Sequence, residues 1–260
     1  MIDIALTRLQ LDFFFIFTQN PSMSIARFVP NAFTLANLFS GCMAVLFAVN
    51  DRMEYAALFV AIGIFCDFFD GFFARKLKVA SDVGLQLDSL ADMVTSGLVP
   101  GIVMYQLLNQ AQGLPWGEDT FSYTPNLGWL GLAITLASAY RLAKFNVDER
   151  QDTSFIGLPT PANAIFILSI PLILMYEEYA FAKALFTNPY VLLGITIASC
   201  ILLNAELPLF ALKFKNFSWS ANLKRYLFIL ACIVLIVFFK FLAVPFIIII
   251  YILMSLLWKD

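Results

Sequence analysis

Long apolar runs are the feature that most constrains this chain. About eight stretches of roughly 20 residues carry few charges and lie between polar or proline-marked breaks, and a helix needs about that length to cross a hydrocarbon layer about 30 Å thick. The residues are 61% hydrophobic and only 13% charged, whereas soluble domains average about 45–50% and 25%. We therefore predict an all-α polytopic membrane protein that is embedded in the lipid bilayer.

The apolar runs also predict the domain organisation. No internal repeat or linker divides them, so we expect residues 27–260 to form a single transmembrane domain. Residues 1–26 carry acidic and basic residues around one short apolar patch, and we expect an interfacial or poorly ordered segment there. Little more than Lys240 joins the last two runs, which leaves open a partly re-entrant hairpin. The predicted spans are 31–50, 55–76, 84–109, 127–146, 160–181, 189–206, 223–239 and 241–257.

The lysines and arginines are distributed unequally between the two sides of this eight-span arrangement. One side receives both termini and 13 of the 16 basic residues. The other side receives Arg52, Lys183 and Lys240. Because cytoplasmic loops carry an excess of basic residues, we predict that both termini face the cytoplasm. No basic tract stands out, and we expect no nucleic-acid partner.

Four aspartates lie inside two neighbouring apolar runs. The second predicted span contains Asp67 and Asp70, and the third contains Asp88 and Asp92. A charged side chain at the bilayer centre costs about 2.5–3.5 kcal/mol on insertion scales, so these acids need an explanation. Spacings of three and four residues place each pair on one face of its helix. Because consecutive spans are antiparallel, we predict that all four carboxylates converge near the cytoplasmic side.

Converging carboxylates repel one another unless they are protonated or neutralised. Mg²⁺ and Mn²⁺ prefer oxygen ligands, and two such ions about 3.5–4 Å apart can share one acidic cluster. The chain has no histidine, so metal binding and proton transfer would fall to carboxylates. The alternative is structural, with acids near helix ends that pair with Arg75, Lys76 and Lys78.

Small and basic residues surround the acids. Gly71 and Ala74 remove side-chain bulk beside the first acidic pair, which lets a helix or a ligand approach closely. Arg75 lies one turn beyond Gly71 and can bind phosphate oxygens through its planar guanidinium. Ser81 follows in the loop and offers a hydroxyl, although a lone loop serine can equally have no binding role.

The stretch from Asp67 to Asp92 reads D-x2-D-G-x2-A-R-x8-G-x3-D-x3-D, with eight fixed positions. This pattern resembles the signature of the CDP-alcohol phosphatidyltransferases at every one of them. The resemblance implies a six-helix transmembrane core, here followed by two C-terminal helices. It implies an enzyme of the cell (inner) membrane that transfers a phosphatidyl group from a CDP-activated lipid to a small alcohol, and it suggests a homodimer.

The resemblance also assigns roles to individual residues. Two Mg²⁺ or Mn²⁺ ions would be bound by Asp67, Asp70 and Asp88, with help from Asp92. As the catalytic base, Asp92 would deprotonate the acceptor hydroxyl. The residues expected to bind the CDP-lipid are Asn31, Thr34, Gly71, Ala74, Arg75, Ser81 and Gly84.

Two further segments, residues 27–41 and 138–162, resemble the phosphatidylserine synthase branch of this family. In the first segment, Asn31, Thr34 and Asn37 step by three residues along one helix face and could reach the nucleotide. The alternative for Asn31 and Thr34 is capping of the helix N-terminus. This branch suggests CDP-diacylglycerol and L-serine as the substrates.

A serine acceptor carries a carboxylate and an ammonium group, so its site needs a cation and oxygen acceptors. We predict that Arg141, Lys144 and Asn146 bind it, with Arg141 deeper in its span. The alternative for both basic residues is anchoring at the membrane surface. The serine-using branch usually has arginine where Lys144 stands, which weakens the case for bidentate carboxylate binding there.

Two other functions compete with this interpretation. A different acceptor, glycerol 3-phosphate or an inositol phosphate, would require additional basic residues near the site. A cation transporter would use the aspartates as an ion site, but it predicts acids at the bilayer midplane and inverted repeats. The acids lie near one face, and we find no repeat.

Overall fold

A computed structural model describes residues 25–114, 126–148, 155–209 and 219–257. Within these ranges the chain is almost entirely helical. A π-helical turn (Met93–Leu98) and two 3₁₀ turns (Leu127–Leu132 and Lys240–Leu242) lie between α-helices. Two short strands, β1 (Phe155–Ile156) and β2 (Pro208–Leu209), pair antiparallel. The helices are α1 (Ile25–Val49), α2 (Met53–Lys76), α3 (Asp82–Asp92), α4 (Val99–Ala111), α5 (Ala133–Val147), α6 (Thr160–Tyr176), α7 (Ala180–Phe186), α8 (Pro189–Asn204), α9 (Trp219–Phe239) and α10 (Ala243–Leu257).

Helix length and apolarity confirm the predicted all-α membrane architecture but not the number of spans. Four helical stretches are long and apolar enough to cross a membrane, and a fifth arises if α7 and α8, bent by 72°, count as one span. The predicted number of eight is therefore not confirmed. The four stretches are Phe28–Val49, Met53–Lys76, Asp82–Ala111 and Arg225–Leu257, of which the last comprises both α9 and α10 and the turn between them.

Two predicted segments, residues 160–181 and 1–26, can be compared with the bounds of the helices. The span predicted over residues 160–181 is too long, because α6 ends at Tyr176 and the backbone of Glu177 is extended (φ −109°, ψ 139°). Two consecutive glutamates, Glu177 and Glu178, end the apolar run there. The predicted N-terminal segment 1–26 lies outside the described residues, except for the backbone of its last two.

The exterior of the helices is more apolar than parts of the interior. Leu136 is 72% exposed and Phe238 is 70% exposed, whereas Asn37, Ser138 and Asn163 are completely buried. Large apolar side chains that cover helix surfaces are compatible with a hydrocarbon solvent, and buried polar groups indicate an internal site. This distribution agrees with an integral membrane protein.

Tight reversals of the chain place residues with a Cβ atom in the left-handed conformation. Asp51, Lys78 and Lys240 have φ angles of 56°, 55° and 46°, which costs about 1–2 kcal/mol for such a residue. After α2, the Val79 amide donates to the Ala74 carbonyl at 3.0 Å. This bond is typical of a helix end with a left-handed cap. It turns the chain sharply, so that α3 begins close to the end of α2.

The last two helices form a hairpin, as the sequence left open. The rings of Phe228 and Tyr251 have centroids 5.7 Å apart, and those of Phe239 and Phe246 are also 5.7 Å apart. Residues 23 positions apart on one straight helix would be separated by about 35 Å. The chain must therefore reverse at Lys240, and α9 packs against α10.

Aromatic stacking fixes α1 against α2. The Phe33 ring of α1 stacks on Phe69 at 5.9 Å and on Phe73 at 5.3 Å between centroids. Phe69 and Phe73 each belong to a double-phenylalanine pair of the motif, and the other members, Phe68 and Phe72, are exposed. One phenylalanine of each pair therefore packs α2 against α1.

Small residues let α1 and α2 approach the π-helical turn that follows Asp92. Thr95, in this turn, is completely buried and donates to the Asn37 carbonyl of α1 at 3.1 Å. A Cβ on Gly63 of α2 would lie 2.7 Å from the Thr95 methyl carbon and 2.8 Å from the Asn37 side-chain oxygen. Distances this short cannot be accommodated without movement, so α2 needs glycine here.

We predict that Gly63→Ala destabilises the protein and displaces Asn37. The expected result is a fall of several degrees in the melting temperature of the purified protein in detergent, because the new methyl group overpacks a buried contact by about 1–3 kcal/mol. Gly194→Ala in α8 is the matched control, since a Cβ there meets nothing within 4 Å. An equal or higher melting temperature for Gly63→Ala than for Gly194→Ala would contradict this packing.

Candidate active site

Three aspartates from two helices form a compact acidic cluster. Asp67 and Asp70 of α2 and Asp88 of α3 each place one carboxylate oxygen within 4.8 Å of the others. The Oδ1 atom of Asp88 is buried and has no hydrogen-bond partner in the described part of the chain. Several oxygen ligands at this separation, one of them unpartnered, fit a hard divalent cation. The residues present are therefore compatible with a metal centre.

Asp92 lies one helical turn beyond Asp88 and outside this group of three. Its Oδ1 atom accepts a hydrogen bond from the Asn37 amide at 3.1 Å, and Asn37 is completely buried. The charge of Asp92 still acts on Asp67 and Asp88. Asp92 is therefore electrostatically part of the acidic cluster, but its position is fixed by α1.

Helix α1 also holds the cluster from a second position. The Thr34 hydroxyl lies 2.7 Å from Oδ2 of Asp70, to which it donates, and 3.2 Å from the Pro30 carbonyl. Because α1 begins at Ile25, Thr34 and Asn31 lie inside the helix and not at its N-terminus. The capping alternative for these two residues is therefore wrong.

A cavity of about 240 Å³ opens beside the acids. All seven residues expected to bind the CDP-lipid line it, together with Asp70 and Asp88. It therefore joins the acidic cluster to the start of α1 and the loop before α3. The seven are Asn31, Thr34, Gly71, Ala74, Arg75, Ser81 and Gly84.

The absence of a side chain at Gly71 and at Gly84 shapes this cavity. The Arg75 guanidinium approaches to 3.3 Å from the position that a Gly71 Cβ would occupy. A Cβ on Gly84 would lie 3.2 Å from the Ser81 hydroxyl and 3.7 Å from the Asn31 side-chain oxygen. The Ser81 hydroxyl also caps α3 by accepting from the Gly84 amide at 3.1 Å. Ser81 thus has a structural role, and its proton is still available for donation to a ligand.

Basic residues near the cluster do not neutralise it directly. In the part of the chain that the structure describes, no ion pair joins the four aspartates to Arg75, Lys76 or Lys78. Lys76 instead lies over the Phe72 ring, 5.5 Å from its centroid. The structural alternative of simple helix-end ion pairs is therefore not supported.

The three residues expected to bind the acceptor have different surroundings. Arg141 is only 7% exposed, and its Nε atom has no hydrogen-bond partner among the described residues. Asn146 exchanges hydrogen bonds of 2.9 and 3.1 Å with Ser89 of α3. Lys144 forms an ion pair with Glu206 at 3.4 Å. Only Arg141 is therefore both buried and without an ionic partner within reach.

Three contacts of the site were missed by sequence reasoning. The sequence predicts Asn37 on the same helix face as Asn31 and Thr34, within reach of the nucleotide, but not its hydrogen bond to Asp92. Ser89 adjoins Asp88 but reaches Asn146 only because α3 packs against α5. Glu206 lies far along the chain from Lys144, and no local pattern links the two.

The β1–β2 ladder brings the segment after β1 to the end of α8. The Gly157 amide donates to the Leu207 carbonyl at 2.9 Å. Gly157 has a φ of 76°, and a Cβ there would lie 2.7 Å from the Leu203 carbonyl oxygen. Glycine is needed at this position, and the contact places Glu206 within reach of Lys144.

Comparison with known proteins agrees with this geometry. The sequence model of the CDP-alcohol phosphatidyltransferase family matches residues 27–202. The chain belongs to this family. A CDP-diacylglycerol–serine O-phosphatidyltransferase of Helicobacter pylori is 30% identical over 211 residues, which cover 77% of this chain and 78% of that protein. Another, of Bacillus subtilis, is 35% identical over 136 residues, 52% of this chain and 70% of that one.

An archaeal relative extends the comparison. An archaetidylserine synthase of Methanothermobacter thermautotrophicus is 28% identical over 156 residues, which cover 59% of this chain and 62% of that protein. The family match covers residues 27–202, so it includes most of α1, all of α2 to α7 and most of α8. The hairpin of α9 and α10 lies outside the matched residues of this phosphatidyltransferase.

We predict that Thr34→Val weakens divalent-cation binding by about tenfold, because groups that orient metal ligands typically contribute 10–100-fold to affinity. The substitution keeps the shape of the side chain and removes the bond to Asp70. Binding is measured as the Mn²⁺ concentration that half-maximally raises the melting temperature. Thr196→Val, at a buried hydroxyl that donates to the Leu192 carbonyl of α8, is the control. Equal Mn²⁺ dependence in the two variants would refute the role of Thr34.

Proposed function

We propose that this protein transfers the phosphatidyl group of CDP-diacylglycerol to the hydroxyl of L-serine, giving phosphatidylserine and CMP. The observation that carries the proposal is the cavity in which all seven expected nucleotide-binding residues meet two acids of the cluster. The serine-specific names of the bacterial relatives support the choice of acceptor. Family membership supports the reaction type.

The proposed reaction is a displacement at phosphorus. The serine hydroxyl oxygen attacks the phosphorus that carries diacylglycerol, and the bond from this phosphorus to the CMP oxygen breaks. Asp92 accepts the hydroxyl proton as general base, since the chain has no histidine. The Asn37 amide donates to Oδ1 of Asp92. This bond orients the carboxylate, whose other oxygen can take the proton.

The acids would hold two divalent cations, Mg²⁺ or Mn²⁺, through Asp67, Asp70 and Asp88 with help from Asp92. When bound, such ions neutralise the diphosphate and stabilise the charge of the departing CMP. Thr34 holds the Asp70 carboxylate in place through its hydroxyl. Arg75, exposed at the rim of the cavity, can bind the phosphate oxygens of the nucleotide.

The acceptor carboxylate would be bound by Arg141. A buried guanidinium without an ion pair requires an anion, and the charge of Asp92 already acts on it. Asn146, which is hydrogen-bonded to Ser89 next to Asp88, would accept a hydrogen bond from the serine ammonium. Lys144 is already paired with Glu206, so we assign it a smaller contribution than Arg141.

We also propose the setting of the reaction. The uneven distribution of lysine and arginine supports a multi-pass protein of the inner membrane with the active site and both termini facing the cytoplasm. CDP-lipid and CMP are cytoplasmic species, which agrees with that orientation. A homodimer remains a prediction from family resemblance.

The proposal predicts serine-dependent CMP release. Purified protein with CDP-diacylglycerol and Mn²⁺ is supplied with L-serine, glycerol 3-phosphate or myo-inositol 1-phosphate, and CMP and the lipid product are quantified. We expect CMP release and phosphatidylserine only with L-serine. Release with a different acceptor would keep the family chemistry and refute the serine site, and no release with any alcohol would refute the proposed reaction.

We predict that Asp92→Asn abolishes turnover and leaves the CDP-lipid bound, because the amide cannot accept the hydroxyl proton. Asp67→Asn should instead weaken the binding of metal and nucleotide together. Turnover is measured as CMP release, and binding as the shift in melting temperature with CDP-diacylglycerol and Mn²⁺. Full activity in either variant would disprove the assignment of that aspartate.

A further inference from the structure

A phenylalanine ring lies against the buried arginine of α5. The guanidinium carbon of Arg141 lies over the Phe145 ring, 6.0 Å from its centroid. The two residues are four positions apart on one helix, so their side chains lie on the same face. Arg141 is buried and Phe145 is half-buried. A cation held over an aromatic face at this distance is a cation–π contact.

Two contacts fix the register of α5 against the acid-bearing segment. Near one end, Ser89 of α3 is hydrogen-bonded to Asn146 of α5. Near the other, a Cβ on Gly97 of the π-helical turn would lie 3.1 Å from the Cβ of Ser138. Eight residues separate Ser89 from Gly97, and eight separate Ser138 from Asn146. The two segments therefore run antiparallel and in step.

This register places Arg141 beside the proposed catalytic base. Asp92 lies three residues after Ser89, and Arg141 lies three residues after Ser138. Arg141 is therefore about level with Val94, two residues beyond Asp92, which corresponds to about 3 Å along the helix axis. The contact of Arg141 with the phenylalanine ring thus lies next to the place where an acceptor hydroxyl must be held for deprotonation.

The ring solves a problem that a buried cation poses. Within the described ranges, the Arg141 guanidinium makes no ion pair, and its buried Nε atom has no hydrogen-bond partner. An aromatic face attracts a cation through its quadrupole, and it leaves the N–H donors at the guanidinium edge unused. Those donors form a planar fork that matches the two oxygens of a carboxylate. A carboxylate side chain in place of Phe145 would instead neutralise Arg141 and compete with the acceptor.

We propose that Phe145 is a positioning residue for acceptor recognition, whose ring covers one face of the Arg141 guanidinium and directs its edge toward the carboxylate of the incoming alcohol. The inference rests on the proposed function, since it deepens the same acceptor site. It gives a role to an uncharged residue that lies between the predicted acceptor contacts Lys144 and Asn146. Phe145 acts through Arg141, and the transfer chemistry stays with the aspartates.

The test is Phe145→Leu, which keeps an apolar side chain and removes the aromatic face. Phe145→Tyr is the conservative variant, because it keeps the ring. Phe59→Leu is the matched control, since Phe59 is also half-buried and its ring stacks on Phe47 at 5.3 Å, near the end of α2 that does not carry the acids. Initial rates of CMP release are measured with L-serine and with serinol, which keeps the amine and hydroxyl groups but lacks the carboxylate. Melting temperatures of all variants are recorded in detergent.

We expect Phe145→Leu to raise KM for L-serine about tenfold, an effect between those of exposed and fully desolvated cation–π contacts. Its kcat, its KM for CDP-diacylglycerol and its rate with serinol should match those of Phe59→Leu. Phe145→Tyr should restore the KM for L-serine. In an Arg141→Gln background, where no cation remains, Phe145→Leu should have almost no further effect on kcat/KM for L-serine.

Two results would overturn the inference and leave the proposed function intact. One is a Phe145→Leu enzyme whose KM for L-serine equals that of Phe59→Leu. The other is an equal loss of rate with L-serine and serinol, with a lowered melting temperature, which indicates a structural role. Should Phe145→Leu not yield folded protein, Phe145→Met carries the same prediction. If the wild-type protein releases CMP with a different alcohol and not with L-serine, the proposed acceptor fails, and the inference fails with it.

Discussion

The mutual repulsion of carboxylates in apolar surroundings is the constraint on which the rest of this structure depends. Two unit charges 4.8 Å apart repel by about 3.5 kcal/mol at an effective dielectric constant of about 20. A hydrogen bond such as that from Thr34 contributes about 1–3 kcal/mol. Hydrogen bonds alone therefore cannot offset three such pairs, and the ionised cluster needs cations. The stability of this region and its ability to bind a metal thus have the same physical origin.

Helix α1 is the element that makes this cluster a defined site. It carries none of the acids, but it donates one hydrogen bond to each of the two acid-bearing helices. Thr34 reaches Asp70 of α2, and Asn37 reaches Asp92 of α3. The adjacent Phe33 stacks on Phe69 and Phe73 of α2. Because Thr34 and Asn37 lie one turn apart, a single rigid helix sets the separation of a proposed metal ligand and the proposed base.

A feature of this structure is easier to predict from the sequence when the residues that form it lie close together along the chain. The acidic cluster lies within one 26-residue motif on consecutive helices, so helical spacing was sufficient to bring Asp67, Asp70 and Asp88 together. The number of spans was less predictable, because hydropathy does not distinguish a straight helix from one bent by 72° or folded back at Lys240. The Lys144–Glu206 pair depends on a two-residue ladder that no periodicity indicates.

Residues from different parts of the chain form the proposed metal site and the surroundings of Arg141. The proposed metal and nucleotide sites are built by α1 to α3, whereas the surroundings of Arg141 come from α5 and the end of α8. The two parts meet where the charge of Asp92 acts on Arg141. If Arg141 binds the acceptor as we propose, changes around it would alter which alcohol is accepted while the transfer chemistry is retained. Such an arrangement would allow one motif to serve different acceptors, because the proposed acceptor contacts lie on helices that do not carry the motif.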